Sequence, residues 1–321
     1  MTTATSTGIV AGGERGYVIG LVGALMALED AGYAFKRVAG TSAGAIAGSL
    51  VAAPVRKPAL GGMLQLKHWM DGLHFTDFMP EGKVHAFFDH DLGKMGELTA
   101  NAAILADRMG LYPGTYLETW LSPKLAQCGV TTFEQLKITE ADIPGLDLPP
   151  NQCYSLLAAG SASVPIPAPD GSTVSQSYAA GTVTFVDGGM LRNFPIDAFQ
   201  PLSGTPAWPT IGIKLSAFQT AFGPTQACHN SVEVAVSCLR TMVNEWDDYE
   251  VEDTTAARTV FVGNAGISAT DFGLSAAQQA ALFLSGVAAG TNFVIEMGES
   301  GRGVPKSARE AAGRRRTAVV L

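Results

Sequence analysis

Apolar residues in this chain fall into short blocks separated by glycine and proline. Residues 33–39 (Tyr-Ala-Phe-Lys-Arg-Val-Ala) read as a short strand, and residues 45–53, small and apolar, as a buried helix. Ahead of them, residues 8–10 start a strand that runs into a glycine-rich turn. A helical stretch follows through Leu21, Leu25 and Leu28 to Ala31, stopped by Gly32. Strand, helix, strand, helix is the opening of a parallel α/β unit.

Further along, residues 115–128 predict an amphipathic helix through Tyr116, Leu117, Trp120 and Leu121. Residues 154–157 predict a strand leading to a helix over 158–163. Residues 182–186 alternate as a strand does, and 210–215 and 259–263 predict two later strands. An apparent helix spans 231–249, and a closing helix runs from 275 to about 296. Residues 54–80, richer in Pro, Gly, Met and aromatics, read as irregular cap structure able to wall an acyl chain. Residues 142–150 and 170–180 read as loops.

The turn between the first strand and the buried helix carries candidate chemistry. Gly40-Thr41-Ser42-Ala43-Gly44 is a G-x-S-x-G sequence between a strand and a helix, the arrangement of a nucleophile elbow. The glycines permit a tight turn and close approach of neighbouring elements. Ser42 is then presented at the end of a sheet, above a helix N-terminus that favours negative charge. The glycine-rich turn at Gly12-Gly13-Glu14-Arg15-Gly16 suits an anion, because successive N–H groups in such turns point inward. It matches neither a phosphate loop nor a dinucleotide fingerprint, and a plain tight turn is the bland reading. Asp187-Gly188-Gly189 ends the 182–186 strand. Alone it reads better as an Asp-Gly turn with a solvated carboxylate.

In this order the three segments resemble the patatin-like phospholipase family. The resemblance extends to residues 110–114, 129–136, 158–165 and 271–275, and covers roughly 8–298. It implies a three-layer α/β/α fold with a mostly parallel central sheet, and a hydrolase domain over 8–298 with cap-like insertions within 54–150. Residues 1–7 and 302–321 are then flexible termini. It also implies serine-dependent hydrolysis of lipid acyl esters by a Ser-Asp dyad with no histidine and no cofactor. Ser42 would be the nucleophile and Asp187 the general base. Gly12, Gly13, Arg15 and Gly16 would form the oxyanion loop, and Gly40, Gly44, Gly188 and Gly189 would support the elbow and dyad. The sequence departs from the family at Ala11, where the loop usually has its first of three glycines. A general carboxylesterase, thioesterase or acyltransferase on the same dyad is an alternative. So is a catalytically silent lipid- or partner-binding protein.

A Ser-Asp-His triad competes with the dyad, because Ser42, Asp187 and His229 occur in the α/β-hydrolase order. His229 reads as readily as an exposed helix-start residue. His68, His74, His85 and His90 lie among aromatics in the cap segment, and no compact metal-ligand spacing accompanies them.

Composition adjusts the picture at the margins. With 47% hydrophobic and 16% charged residues, 321 residues can bury a sizeable core. A net charge of −8 argues against nucleic acid as a partner. The basic residues Lys306, Arg309, Arg314, Arg315 and Arg316 could attract an anionic lipid surface, although a solvated terminus is the plainer expectation. The four cysteines form no disulfide framework, and residues 1–7 carry no basic leader. Residues 280–294 look too short and too interrupted to cross a bilayer. Together these point to a cytoplasmic protein with peripheral membrane contact at most.

Overall fold

The computed structural model describes residues 18–41, 43–54, 62–73, 77, 115–139, 154–159, 194–196, 198–199, 209–215, 234, 256–265, 267, 274–299 and 315–320. Helix α1 (Val18–Asp30) is apolar along almost its whole length and is buried nearly all round. Each fully buried leucine in it, such as Leu21, Leu25 and Leu28, contributes on the order of 1.5–3 kcal/mol. Gly32 ends the helix at φ +88°, a left-handed conformation that costs glycine little, and its N–H donates to the Glu29 carbonyl. Only Ala31 and Gly32 separate α1 from strand β1 (Tyr33–Thr41), so the chain reverses and α1 runs antiparallel to β1. The start of α1 therefore lies toward the carboxyl end of β1.

Helix α2 (Ala43–Ala52) returns over the same sheet face. A Cβ on Gly48 would sit 3.1 Å from Val38 Cγ1 and 3.3 Å from Leu156 Cδ1, so the missing side chain lets helix and sheet approach closely. Helix α3 (Gly62–Asp71) buries Met63, Leu66, Trp69 and Met70 in the main core. Glu29, at the end of α1, accepts the Met63 N–H at 3.1 Å and so stabilises the start of α3. Residues 62–71 are thus a packed core helix, where the sequence predicts irregular cap structure.

Helix α4 (Thr115–Gln127) follows the amphipathic prediction and buries Trp120. Lys124 lies over the Trp120 ring at 4.0 Å and donates to the Trp120 carbonyl; burial lowers its pKa. A 3-10 turn at Phe133–Leu136 leads to an antiparallel bridge between Lys137 and Tyr154. Ser155 ties this corner down, donating both its N–H and its hydroxyl to the Leu136 carbonyl at 2.9 Å.

Strands β2 (Leu156–Ala159), β3 (Thr210–Lys214), β4 (Thr259–Phe261) and β5 (Arg315–Val320) join β1 in a sheet of order β2-β1-β5-β3-β4. Every pairing between these strands is parallel. Its strands read as apolar runs because both faces are covered. Val38, Leu156, Ile211, Ile213 and Val260 belong to the main core with α1, α2 and α3, whereas Ala39 packs with Phe194, Ile196 and Phe199. Gly212 faces the same segment, since a Cβ there would run into Phe194 and Ile196. A register irregularity between Phe35 and Arg37 interrupts the alternation of β1. Phe35 accordingly joins the main core, while Arg37 stacks over the Phe199 ring at 4.3 Å.

Two sequence expectations need correction. Residues 315–320, read as part of a flexible terminus, form an interior strand of the sheet. The run Thr317-Ala318-Val319-Val320 has the β-branched, uncharged character such a position needs. Secondly, helix α5 (Ala276–Glu299) passes without a break through Ser285, Gly286 and Gly290. Its most apolar 18-residue window has a mean hydropathy of 1.4, so by length and composition Ala276–Gly298 could cross a bilayer. In this fold it lies along α1.

Candidate active site

The end of β1 and the start of α2 are separated by one residue, Ser42. On either side, Gly40 and Gly44 are brought into backbone contact. A Cβ on Gly40 would collide with the carbonyl group of Gly44, with the Ala45 nitrogen only 2.7 Å away. Glycine at position 40 is therefore a steric requirement of the turn. Thr41 and Gly44 are buried, so the chain enters and leaves this turn through packed structure. The strand and the helix expected on either side of residue 42 are present.

Parallel pairing aligns Thr41 with Ala159 and Gly40 with Ala158. The carboxyl ends of β1 and β2 thus lie side by side, at the edge toward which the start of α1 points. In open parallel α/β sheets, ligands bind outside the carboxyl ends of the strands. The segment from Phe194 to Phe199 packs on β1 at Ala39, three residues before Ser42. That segment begins seven residues after Asp187 in the chain.

Of the residues predicted for the site, Gly40 and Gly44 are described and meet. Ser42, Asp187, Gly188 and Gly189 lie outside the described residues, as do Gly12, Gly13, Arg15 and Gly16 of the glycine loop. So do His74, His85, His90 and His229. His68 is exposed on α3. Among the described residues, no group of three or more His, Cys, Asp or Glu side chains could hold a metal ion.

One residue near the site escaped sequence reading. Arg37 is 3% exposed, and its guanidinium stacks on Phe199 beneath the strand end. Simple alternation places it on the face of Tyr33 and Phe35, and the irregularity at residue 36 that turns it to Phe199 is invisible in the sequence. A cation three residues before Gly40, near a strand end, was the available signal.

The family model described as patatin-like phospholipase matches residues 11–199, more than half of the chain. The chain is also similar to the uncharacterized protein YqhO of Bacillus subtilis strain 168. The two are 27% identical over 292 residues, covering 84% of this chain and 91% of the relative. The family supports lipid acyl hydrolysis as the general activity and an α/β fold as the framework, in accord with the parallel sheet and its helices. On that match, this chain belongs to the patatin-like phospholipase family.

Proposed function

We propose that the protein is a serine lipid acyl hydrolase working through a dyad of Ser42 and Asp187. The observation that carries this reading is the contact of Gly40 with Gly44, where β1 ends at Thr41 and α2 begins at Ala43. A turn of that kind projects its side chain beyond the sheet edge, at the start of a helix whose free N–H groups favour developing negative charge. The anchoring of Phe194 and Ile196 beside Ala39 supports a second contribution from Asp187, seven residues before Phe194 in the chain.

In the proposed reaction the Ser42 hydroxyl attacks the ester carbonyl while Asp187 accepts its proton. The N–H groups of Gly12 and Gly13 stabilise the oxyanion, with Arg15 and Gly16 holding the loop. Collapse of the tetrahedral intermediate breaks the ester bond, and the departing alcohol takes the proton from Asp187. Water then attacks the acyl-enzyme, again giving a proton to Asp187. Release of the fatty acid returns that proton to Ser42. An aspartate has a pKa of about 4 in water, so general-base work requires a partly desolvated setting.

The test is exposure to a long-chain fluorophosphonate followed by peptide mapping. We expect an adduct on Ser42 that is absent in Ser42→Ala and strongly reduced in Asp187→Asn. Well-folded protein without an adduct on Ser42 would exclude this reading. Adding an alcohol acceptor during ester turnover separates hydrolysis from acyl transfer, since a transferase would form a new ester.

A further inference from the structure

One side of helix α5 is spent on the core. Gly286 and Gly290 sit against the α1 backbone at Gly20 and Ala24, and Leu282 and Phe293 are buried on the same side. The opposite side carries Ala281, Leu284, Ala288, Thr291, Ile295 and Gly298, all exposed and spaced alternately three and four residues apart. Its two large side chains are well out of the core, Leu284 at 63% exposure and Ile295 at 51%. This face lacks the charge that normally keeps an exposed helix face in water, because the chain has no charged residue between Asp271 and Glu296. The Thr291 hydroxyl donates to the Val287 carbonyl at 2.8 Å, so covering that residue strands no donor.

The stripe is symmetric about a point midway between residues 289 and 290. Leu284 and Ile295 lie at equal distances from it, Ala288 and Thr291 closer in, and Ala281 and Gly298 further out. A second copy of the helix, turned antiparallel about a two-fold axis at that point, sets Leu284 against Ile295 and Ala288 against Thr291. Small residues in the middle let the backbones approach, and large apolar ones close both ends. Charge selects the antiparallel sense. The charges on the helix are Glu296 and Glu299, at its carboxyl end. Antiparallel packing carries them toward the amino end of the neighbouring helix, where free N–H groups favour negative charge, whereas parallel packing sets like carboxylates side by side. A lipid surface fits less well. Ala288 and Thr291 give little to insert among acyl chains, and a net charge of −8 opposes approach to anionic headgroups.

We infer that this face of α5 is a self-association surface, joining two copies of the chain as an antiparallel, two-fold symmetric helix pair. With one helix from each copy, the interface falls at the small end of specific interfaces, so association is weak and reversible. The test is sedimentation equilibrium of the full chain across the micromolar range. We expect a monomer–dimer equilibrium that Leu284→Glu and Ile295→Ser each weaken by at least about tenfold, since each spoils the same layer twice. Both side chains are exposed, so circular-dichroism melts of dilute protein should match the parent.

A short bismaleimide reports the orientation. It should join Leu284→Cys protein to Ile295→Cys protein, mapped by peptide mass spectrometry with the parent as the control for native cysteines. Neither variant should cross-link to itself at the new position, because like positions lie about 16 Å apart along the pair at about 1.5 Å per residue. A parent that stays monomeric, a Leu284→Glu variant that dimerises as well as the parent, or like-to-like cross-links would each overturn the inference. A monomer that floats with phosphatidylcholine vesicles, and ceases to on Leu284→Glu, would overturn it in favour of lipid.

Discussion

Gly40 has no room for a β-carbon, and its neighbour across the turn, Gly44, supplies the obstacle through its backbone. Gly40→Ala must therefore separate strand from helix at position 42. We expect a loss of about 2–4 kcal/mol in stability, measured by denaturant unfolding, together with loss of labelling at Ser42. At the same scale, Asp187→Asn should lower turnover by about 10³-fold, a typical general-base contribution, while His229→Ala retains most activity. Steady-state kinetics on the two variants decides the matter, and the reverse pattern would shift the site to a Ser-Asp-His triad. Gly40, Thr41 and Gly44 were legible in the sequence because a tight turn constrains residue type so strongly. Arg37 was not, because the backbone irregularity that turns it from the face of Phe35 to Phe199 is not encoded by side-chain pattern.

The elements show the same division. Helices α1, α2, α4 and α5 and strands β1, β3 and β4 follow from apolar runs bounded by glycine or proline. Helix α3 did not, because Pro54, Pro58 and Gly61-Gly62 flank a segment of mixed Met, Leu and Trp whose burial pattern emerges only against α1 and α2. The corner before β2 supplies a pH prediction. Glu134 accepts hydrogen bonds from Lys137 and Tyr154, and the Lys137 ammonium first, then the Tyr154 hydroxyl, hold its pKa below the usual carboxylate value. A carboxyl with a depressed folded-state pKa contributes stability above its unfolded pKa and loses it as pH falls through the folded value. Thermal melts of Glu134→Gln should accordingly lie slightly below the parent at neutral pH and converge with it in acid. The carboxylate is fully exposed, so the difference should be small and shrink with added salt.

For the molecule as a whole, β5 matters most. It lies between β1 and β3, pairing with both, so the described sheet consists of two pairs, β2-β1 and β3-β4, joined by the strand that comes last in the chain. Removal of residues 315–321 should abolish the single cooperative unfolding transition seen by circular dichroism, whereas a disposable tail would leave it unchanged. Parallel pairing also places Arg315 opposite Tyr33, at the amino end of β1 and the far edge from residue 42. Of the basic residues that suggested contact with lipid by charge alone, Arg315 and Arg316 thus lie at the edge of the sheet far from the candidate site. Sequence reading missed this strand because a short apolar run after Arg314-Arg315-Arg316 looks like an ending.

That placement has a consequence for how the protein is made. A ribosome delivers β1, its turn and α2 early, yet the partner that fills the gap beside β1 is synthesised after every other strand described. Until then two half-sheets stand with open edges, each able to pair with the wrong neighbour. The parallel sheet that carries the candidate site should therefore close only once β5 has been made.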